Sequence, residues 1–171
     1  MMSINILLRN ITRFIALVLV QVFIFNNIHL TGFGVIPVIY ILYIILLPFE
    51  TPKWLVMILA FLIGFSIDIF SDTLGLNAAA SVLIAFIRPL ILNKLSPRDG
   101  YEIGSFPRVY YQGVNWFVKY ASSLVLIHQL TYYMLESFSF ESVLIIFFKI
   151  VIASIVSIIL IIISQYIIFR K

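Results

Sequence analysis

Cysteine is absent from the chain and charge is scarce: of 171 residues, 11 are Lys or Arg and 7 are Asp or Glu. Without cysteine there can be no disulfide, no thiolate nucleophile and no cysteine-rich metal site. His128 has no second histidine or acidic pair near it in the sequence, which is poor material for zinc. Nucleophile elbows, phosphate loops and paired-carboxylate spacings are missing too. Nothing in the sequence therefore argues for an enzyme, and no cofactor is called for. The 11% of charged residues lies far below the roughly one quarter of a soluble domain, which excludes that class. A formal net charge of +4 does not describe a nucleic-acid surface, because the basic residues sit at the ends of apolar runs and form no stripe.

What is present is apolar: 63% of residues are hydrophobic and the mean hydropathy is +1.17. Residues 1–171 read as one integral membrane domain, all-α and polytopic. Six transmembrane helices are expected, at about 11–28, 33–48, 54–70, 74–92, 116–135 and 143–169, each near the roughly 20 residues that cross about 30 Å of hydrocarbon. The first run follows a short lead carrying Arg9 and Arg13 and ends in Asn26-Asn27 without a small-x-small cleavage pattern, so it reads as a retained span. Gly32 and Gly34 separate it from the second run, which stops at Pro48. The segment Pro48 to Lys53 carries a proline at each flank and breaks the helix there. Residues 93–115 form the only long connection.

Alternating the loops gathers Arg9, Arg13, Lys53, Arg88, Lys94, Arg98, Arg108, Lys119, Arg170 and Lys171 on one side, ten of the 11 basic residues. The other side holds Asp68, Asp72, Glu136 and Glu141. By the positive-inside rule both termini are expected in the cytoplasm. Lys149 falls near the outer boundary when about 20 residues are counted back from Ile168. The first turns of the last span, Glu141 to Phe148, are then expected along or beyond the outer surface.

The stretch Trp54 to Arg88 reads as a tight helical hairpin. Ala60, Gly64 and Asp68 recur at i, i+4 on one helix face, and Asn77, Ser81 and Ala85 do so on the next. Asp68 falls about 22 Å along its helix at 1.5 Å per residue. An ionisable group at that depth is a functional candidate, or else it snorkels to the interface or pairs with Lys149. Asp72, with Ser71 and Gly75, reads as the turn and N-cap of the fourth span. Gln21, Asn26, Asp68, Asn77, His128 and Gln129 all fall in the outer half. They either surround an outward polar pocket or fix helix packing by hydrogen bonds. Small residues at Ala60/Gly64, Ala78 to Ser81 and Ala153/Ser157 would let helix backbones approach closely. The 93–115 loop mixes Tyr101, Phe106, Tyr110 and Tyr111 with Lys94, Arg98 and Arg108. That composition suits an interfacial loop drawn to anionic headgroups, or a docking surface for a cytoplasmic partner.

The run from Gly64 through Asp68 to Gly75-Leu76-Asn77, continuing as AAASVLIAFIRP, resembles the MreD family of bacterial rod shape-determining proteins. The likeness covers roughly Trp54 to Leu92; length, span count and topology agree over the whole chain. It implies a non-enzymatic scaffold of the elongation machinery in the inner membrane, supporting peptidoglycan synthesis and rod shape. The implied partners are membrane lipid, an MreC-like bitopic protein and, through it, the MreB filament, a RodA-like glycosyltransferase and a class B penicillin-binding protein. Gly64, Asp68, Gly75 and Asn77 carry over as the central hairpin of that family, without a catalytic role. A second expectation, from fold-level analogy alone, is a substrate-binding S component of an energy-coupling-factor vitamin transporter. In that case Gln21, Asn26, Asp68, Asn77 and His128 would bind a small polar ligand. A lipid-processing enzyme is a third, and it lacks an acid–base pair.

Overall fold

Proline, glycine and one left-handed aspartate set the helix boundaries. The computed structural model describes residues 4–28, 35–102, 104–137 and 143–168, and every regular element among them is helical. Helix α1 (Ile4–Phe23) is followed by a 3-10 turn at Phe25–Asn27, and then by the single-turn α2 (Leu42–Ile45). Pro52 stands just before α3 (Lys53–Ser71), which ends where Asp72 turns left-handed at φ 55°. Gly75, at φ 84°, then opens α4 (Leu76–Lys94); that backbone conformation suits a residue without Cβ. The single-turn α5 (Val109–Gln112), α6 (Val114–Glu136) and α7 (Val143–Ile168) complete the chain. Among the described residues four stretches are long and apolar enough to cross a membrane: Leu8–Asn27, Lys53–Ser71, Leu76–Lys94 and Val143–Ile167. The expected fifth span falls on α6, a 23-residue helix with Lys119, His128 and Gln129 in its length, which is not one of the four.

The expected second helix, 33–48, is not a continuous helix. Its described part has no regular structure from Val35 to Ile39, and only Leu42–Ile45 forms a helical turn. Pro37 accounts for the break, since it has no amide donor and drives the preceding residue out of the helical region. This segment is nonetheless the centre of the molecule, with Tyr40 through Leu47 at most 2% exposed. Backbone outside a helix cannot lie in hydrocarbon with unpaired amides and carbonyls, so it survives only where protein groups satisfy it.

Four helices supply those groups. The Gln21 side chain of α1 accepts from the Ile39 amide at 2.9 Å through Oε1 and donates to the Pro37 carbonyl at 3.0 Å through Nε2. Ser157 Oγ of α7 accepts from the Val38 amide at 2.9 Å. At the other end, Arg88 Nη2 of α4 donates to the Leu47 carbonyl at 2.5 Å, and its Nε donates to Tyr120 Oη of α6 at 2.8 Å. Tyr120 in turn donates to the Ile45 carbonyl at 3.3 Å. Arg88, grouped by sequence with the basic residues of the loops, is 2% exposed and belongs to the core.

These anchors show that the segment runs the length of the bundle. Tyr40 meets Asn77 near the start of α4, and Leu47 meets Arg88 eleven residues further along that helix, roughly 16 Å at 1.5 Å per residue. One end of the bundle holds Asn26, Ser71 and Thr73; the other gathers Arg9, Arg88 and Arg108 with the stacked rings of Phe49 and Tyr101, 4.1 Å apart, and Trp116. Around this core α3 packs on α4, α4 on α6 and α6 on α7, with α1 against α3. Helix α7 is continuous from Val143, and Lys149 lies on it against Val35, Phe148 and Ile152. Gly32, Gly34, Glu141, Arg170 and Lys171 lie outside the described residues.

Gln21→Leu removes both of its bonds to the central segment's backbone. Each buried group left unpaired costs about 1–3 kcal/mol, so thermal unfolding in detergent should fall by several degrees. Asn27→Leu is the control, because Asn27 bonds only the nearby Val22 and Phe23 carbonyls. Equal stability of the Gln21→Leu variant and the wild type would contradict the account.

Candidate functional site

The residues that mark the hairpin in the sequence converge where α3 meets α4. Gly64 and Asp68 share a face of α3, one turn apart. A Cβ on Gly64 would stand 2.6 Å from Ala78 Cα and 2.6 Å from the Asn77 carbonyl oxygen. Only glycine allows this contact between backbones. With the helices that close, Asp68 reaches across to the first turn of α4. Its Oδ1 accepts from the Asn77 amide at 3.0 Å and Oδ2 from the Ala78 amide at 2.9 Å. Thr73 Oγ1 donates to Oδ1 at 2.5 Å, and Asn77 Nδ2 donates to it at 3.0 Å.

Asp68 is thus the N-terminal cap of the neighbouring helix, a carboxylate satisfying orphan amides at the positive end of a helix dipole. This corrects two expectations. The cap is not Asp72, which is exposed and ends α3 in the left-handed conformation, while Gly75 occupies the N-cap position of α4 with no side-chain bond. Nor does Asp68 snorkel or pair with Lys149: it is 4% exposed, and its oxygens face Thr73, Asn77 and Ala78.

The cap orders a buried chain of polar groups. Because Asn77 Nδ2 donates to Asp68 and to Thr73 Oγ1 (3.1 Å), Asn77 Oδ1 is left to accept, and Tyr40 Oη donates to it at 2.9 Å. Tyr40 has one proton to give. The 2.7 Å contact between Tyr40 Oη and His128 Nε2 therefore assigns the histidine proton to Nε2, an assignment that follows from the network. His128 is fully buried behind this contact. Ser81 lies one turn beyond Asn77 on α4, also buried.

Above the cap lies a cavity of about 330 Å³ lined by Gln21, Asn26, Ser71, Asn77, Gln129 and Tyr132, among others. Gln21 donates to Asn26 Oδ1 at 2.9 Å, and Asn26 donates to Ser71 Oγ at 2.6 Å. Gln129 is 1% exposed, and its Nε2 makes no hydrogen bond. Of the residues expected around an outer pocket, Gln21, Asn26, Asn77 and Gln129 line it; Asp68 and His128 lie behind it, and Lys149 faces a separate apolar hollow with Val35 and Ile145. Among the described residues no group of three or more His, Cys, Asp or Glu could hold a metal ion.

Sequence reasoning missed Thr73, Tyr40, Arg88 and Tyr120. Arg88 carried a readable signal, an ionisable residue inside the apolar run IAFIRPL. Tyr40 carried none, since a tyrosine in an apolar run reads equally well as an interfacial anchor. Compared with family models, curated proteins and solved structures, the chain matches none.

Asp68→Asn keeps the size of the side chain but turns one acceptor into a donor facing a backbone amide. It should destabilise the chain by about 1–3 kcal/mol, and Asp68→Ala should cost more because both amides lose their partner. Gly64→Ala should also destabilise, by forcing α3 off α4. Equilibrium unfolding in mixed micelles measures all three; an Asp68→Ala variant as stable as wild type would refute the cap.

Proposed function

We propose that the chain is a non-enzymatic membrane scaffold of the MreD kind, spanning the bacterial inner membrane six times with both termini in the cytoplasm. In this reading it binds an MreC-like bitopic protein and so links the MreB filament to a RodA-like glycosyltransferase and a class B penicillin-binding protein. The observation that carries the reading is the hairpin joint: the residues on which the resemblance rests, Gly64, Asp68, Gly75 and Asn77, meet there as one structural unit. The buried polar groups around it hold backbone and helix ends in place, which is the work of a rigid framework. The six passes follow if the central segment counts as one, and the gathering of Arg9, Arg13 and Arg108 at one end supports placing that end inside. Exposed apolar side chains on α3, such as Phe61, Phe65 and Ile69, suit a lipid-facing or helix-binding wall.

The cavity favours a second reading, the substrate-binding component of an energy-coupling-factor vitamin transporter. Its volume of about 330 Å³ lies at the small end of ligand sites, and the Gln129 amide has a hydrogen bond to give there.

A C-terminal tag, extraction of native membranes in mild detergent and mass spectrometry of what co-purifies separate the two. Recovery of a bitopic periplasmic protein with wall-synthesis enzymes is the expected result. Asp68→Ala, compared at equal membrane levels, should lower that recovery severalfold and widen the cells. Recovery of ATPase subunits or a bound vitamin would overturn the scaffold reading in favour of the transporter.

A further inference from the structure

The basic end of the molecule holds an arrangement that neither reading uses. Arg9 of α1 and Arg108 of the 93–115 loop both sit against the ring of Phe106, their guanidinium carbons 5.2 Å and 4.9 Å from its centroid. Arg13, one turn on from Arg9, lies within electrostatic reach of both. Three like charges are thus brought together from two parts of the chain. Burial, and then the neighbouring Arg9, push the Arg108 guanidinium below its ordinary pKa.

Directly below the cluster a groove of about 530 Å³ runs between α1, α7 and the central segment. Arg9, Arg13, Ala16 and Val20 of α1 line it together with Leu46 of the central segment and Ser164 of α7. The two hydroxyl groups in it, Thr12 and Ser164, give their protons to the Leu8 and Ile161 carbonyls, so the walls offer an occupant no hydroxyl donor and mostly apolar contact. From Arg9 to Val20 the rise is roughly 16 Å, close to the ~15 Å of one leaflet in a ~30 Å hydrocarbon core. Charge is therefore placed at headgroup depth and the apolar channel at acyl-chain depth.

We infer that this groove is a binding site for one anionic phospholipid, its phosphate held by Arg9, Arg13 and Arg108 and one acyl chain lying along Ala16, Val20 and Leu46. Guanidinium forks match phosphate oxygens, and basic pockets between helices on the cytoplasmic side suit such headgroups. An annular lipid would need neither the convergence of loop and helix on Phe106 nor a groove one leaflet deep.

The test uses the full chain reconstituted in vesicles of equal parts phosphatidylglycerol and phosphatidylcholine, extracted in neutral detergent, with retained lipid counted by native mass spectrometry. Wild type should retain phosphatidylglycerol in preference to phosphatidylcholine. Arg108→Gln alone should weaken that preference, and the combined Arg9→Gln, Arg13→Gln, Arg108→Gln variant should cut it on the order of tenfold or more. The pair Lys94→Gln, Arg98→Gln, basic but outside the cluster, should leave it unchanged. Ala16→Phe, which fills the groove, should lower phosphatidylglycerol retention while circular dichroism stays helical. Glycerol phosphate, a headgroup without acyl chains, should fail to displace the lipid. Equal retention of the two lipids by wild type, an equal effect of the Lys94/Arg98 pair, or displacement by glycerol phosphate would each overturn the assignment.

Discussion

The structure depends on keeping one stretch of non-helical backbone paired where water cannot reach it. A helix satisfies its own amides and carbonyls; residues 35–39 do so only at the Ile39 carbonyl, which accepts from the Leu42 amide. The segment is therefore held from outside by Gln21, Ser157, Tyr120 and Arg88. Each of these polar residues would be costly in an apolar helix on its own. Each becomes favourable because the segment needs it. The central segment and the polar residues of α1, α4, α6 and α7 thus stabilise one another, and neither would persist alone. In this way the pairing fixes how four helices are arranged, without a large soluble core.

The hairpin joint obeys the same rule at a helix end. The first amides of α4 have no partner within their own helix, and the carboxylate that takes them comes from α3, brought within reach by the missing side chain of Gly64. From Asp68 the hydrogen bonds continue through Asn77 and Tyr40 to His128. The cap of one helix is thereby tied to the central segment and to α6. A substitution at Asp68 therefore reaches the framework as well as any surface that rests on it, so measurements of partner binding need stability beside them.

The class of the protein was legible from composition, and the hairpin from spacing. Gly64 and Asp68 at i, i+4 on α3 do face Asn77 on α4, and Ser81 is buried one turn beyond Asn77. The identity of the cap was not legible, because Asp72 stands at the expected distance from α4 in sequence while Asp68 stands there only in space. The broken second span was signalled by Pro37 but outweighed by an apolar run of the right length. Its partners could not be seen at all: Val38 and Ser157 are 119 residues apart, and apolar residues facing lipid look the same as those facing protein. Arg88 shows the opposite error, a core residue grouped with loop charges because the positive-inside rule counts basic residues near helix ends without asking what they touch.

The central claim is that non-helical backbone at the heart of the bundle is locked by side chains. Amide hydrogen exchange on the full chain in lipid nanodiscs, read at Val38 and Ile39, tests it most directly. Protection comparable to that of the α3 and α4 amides is the predicted result. Exchange at the rate of an exposed loop at those two positions would contradict it.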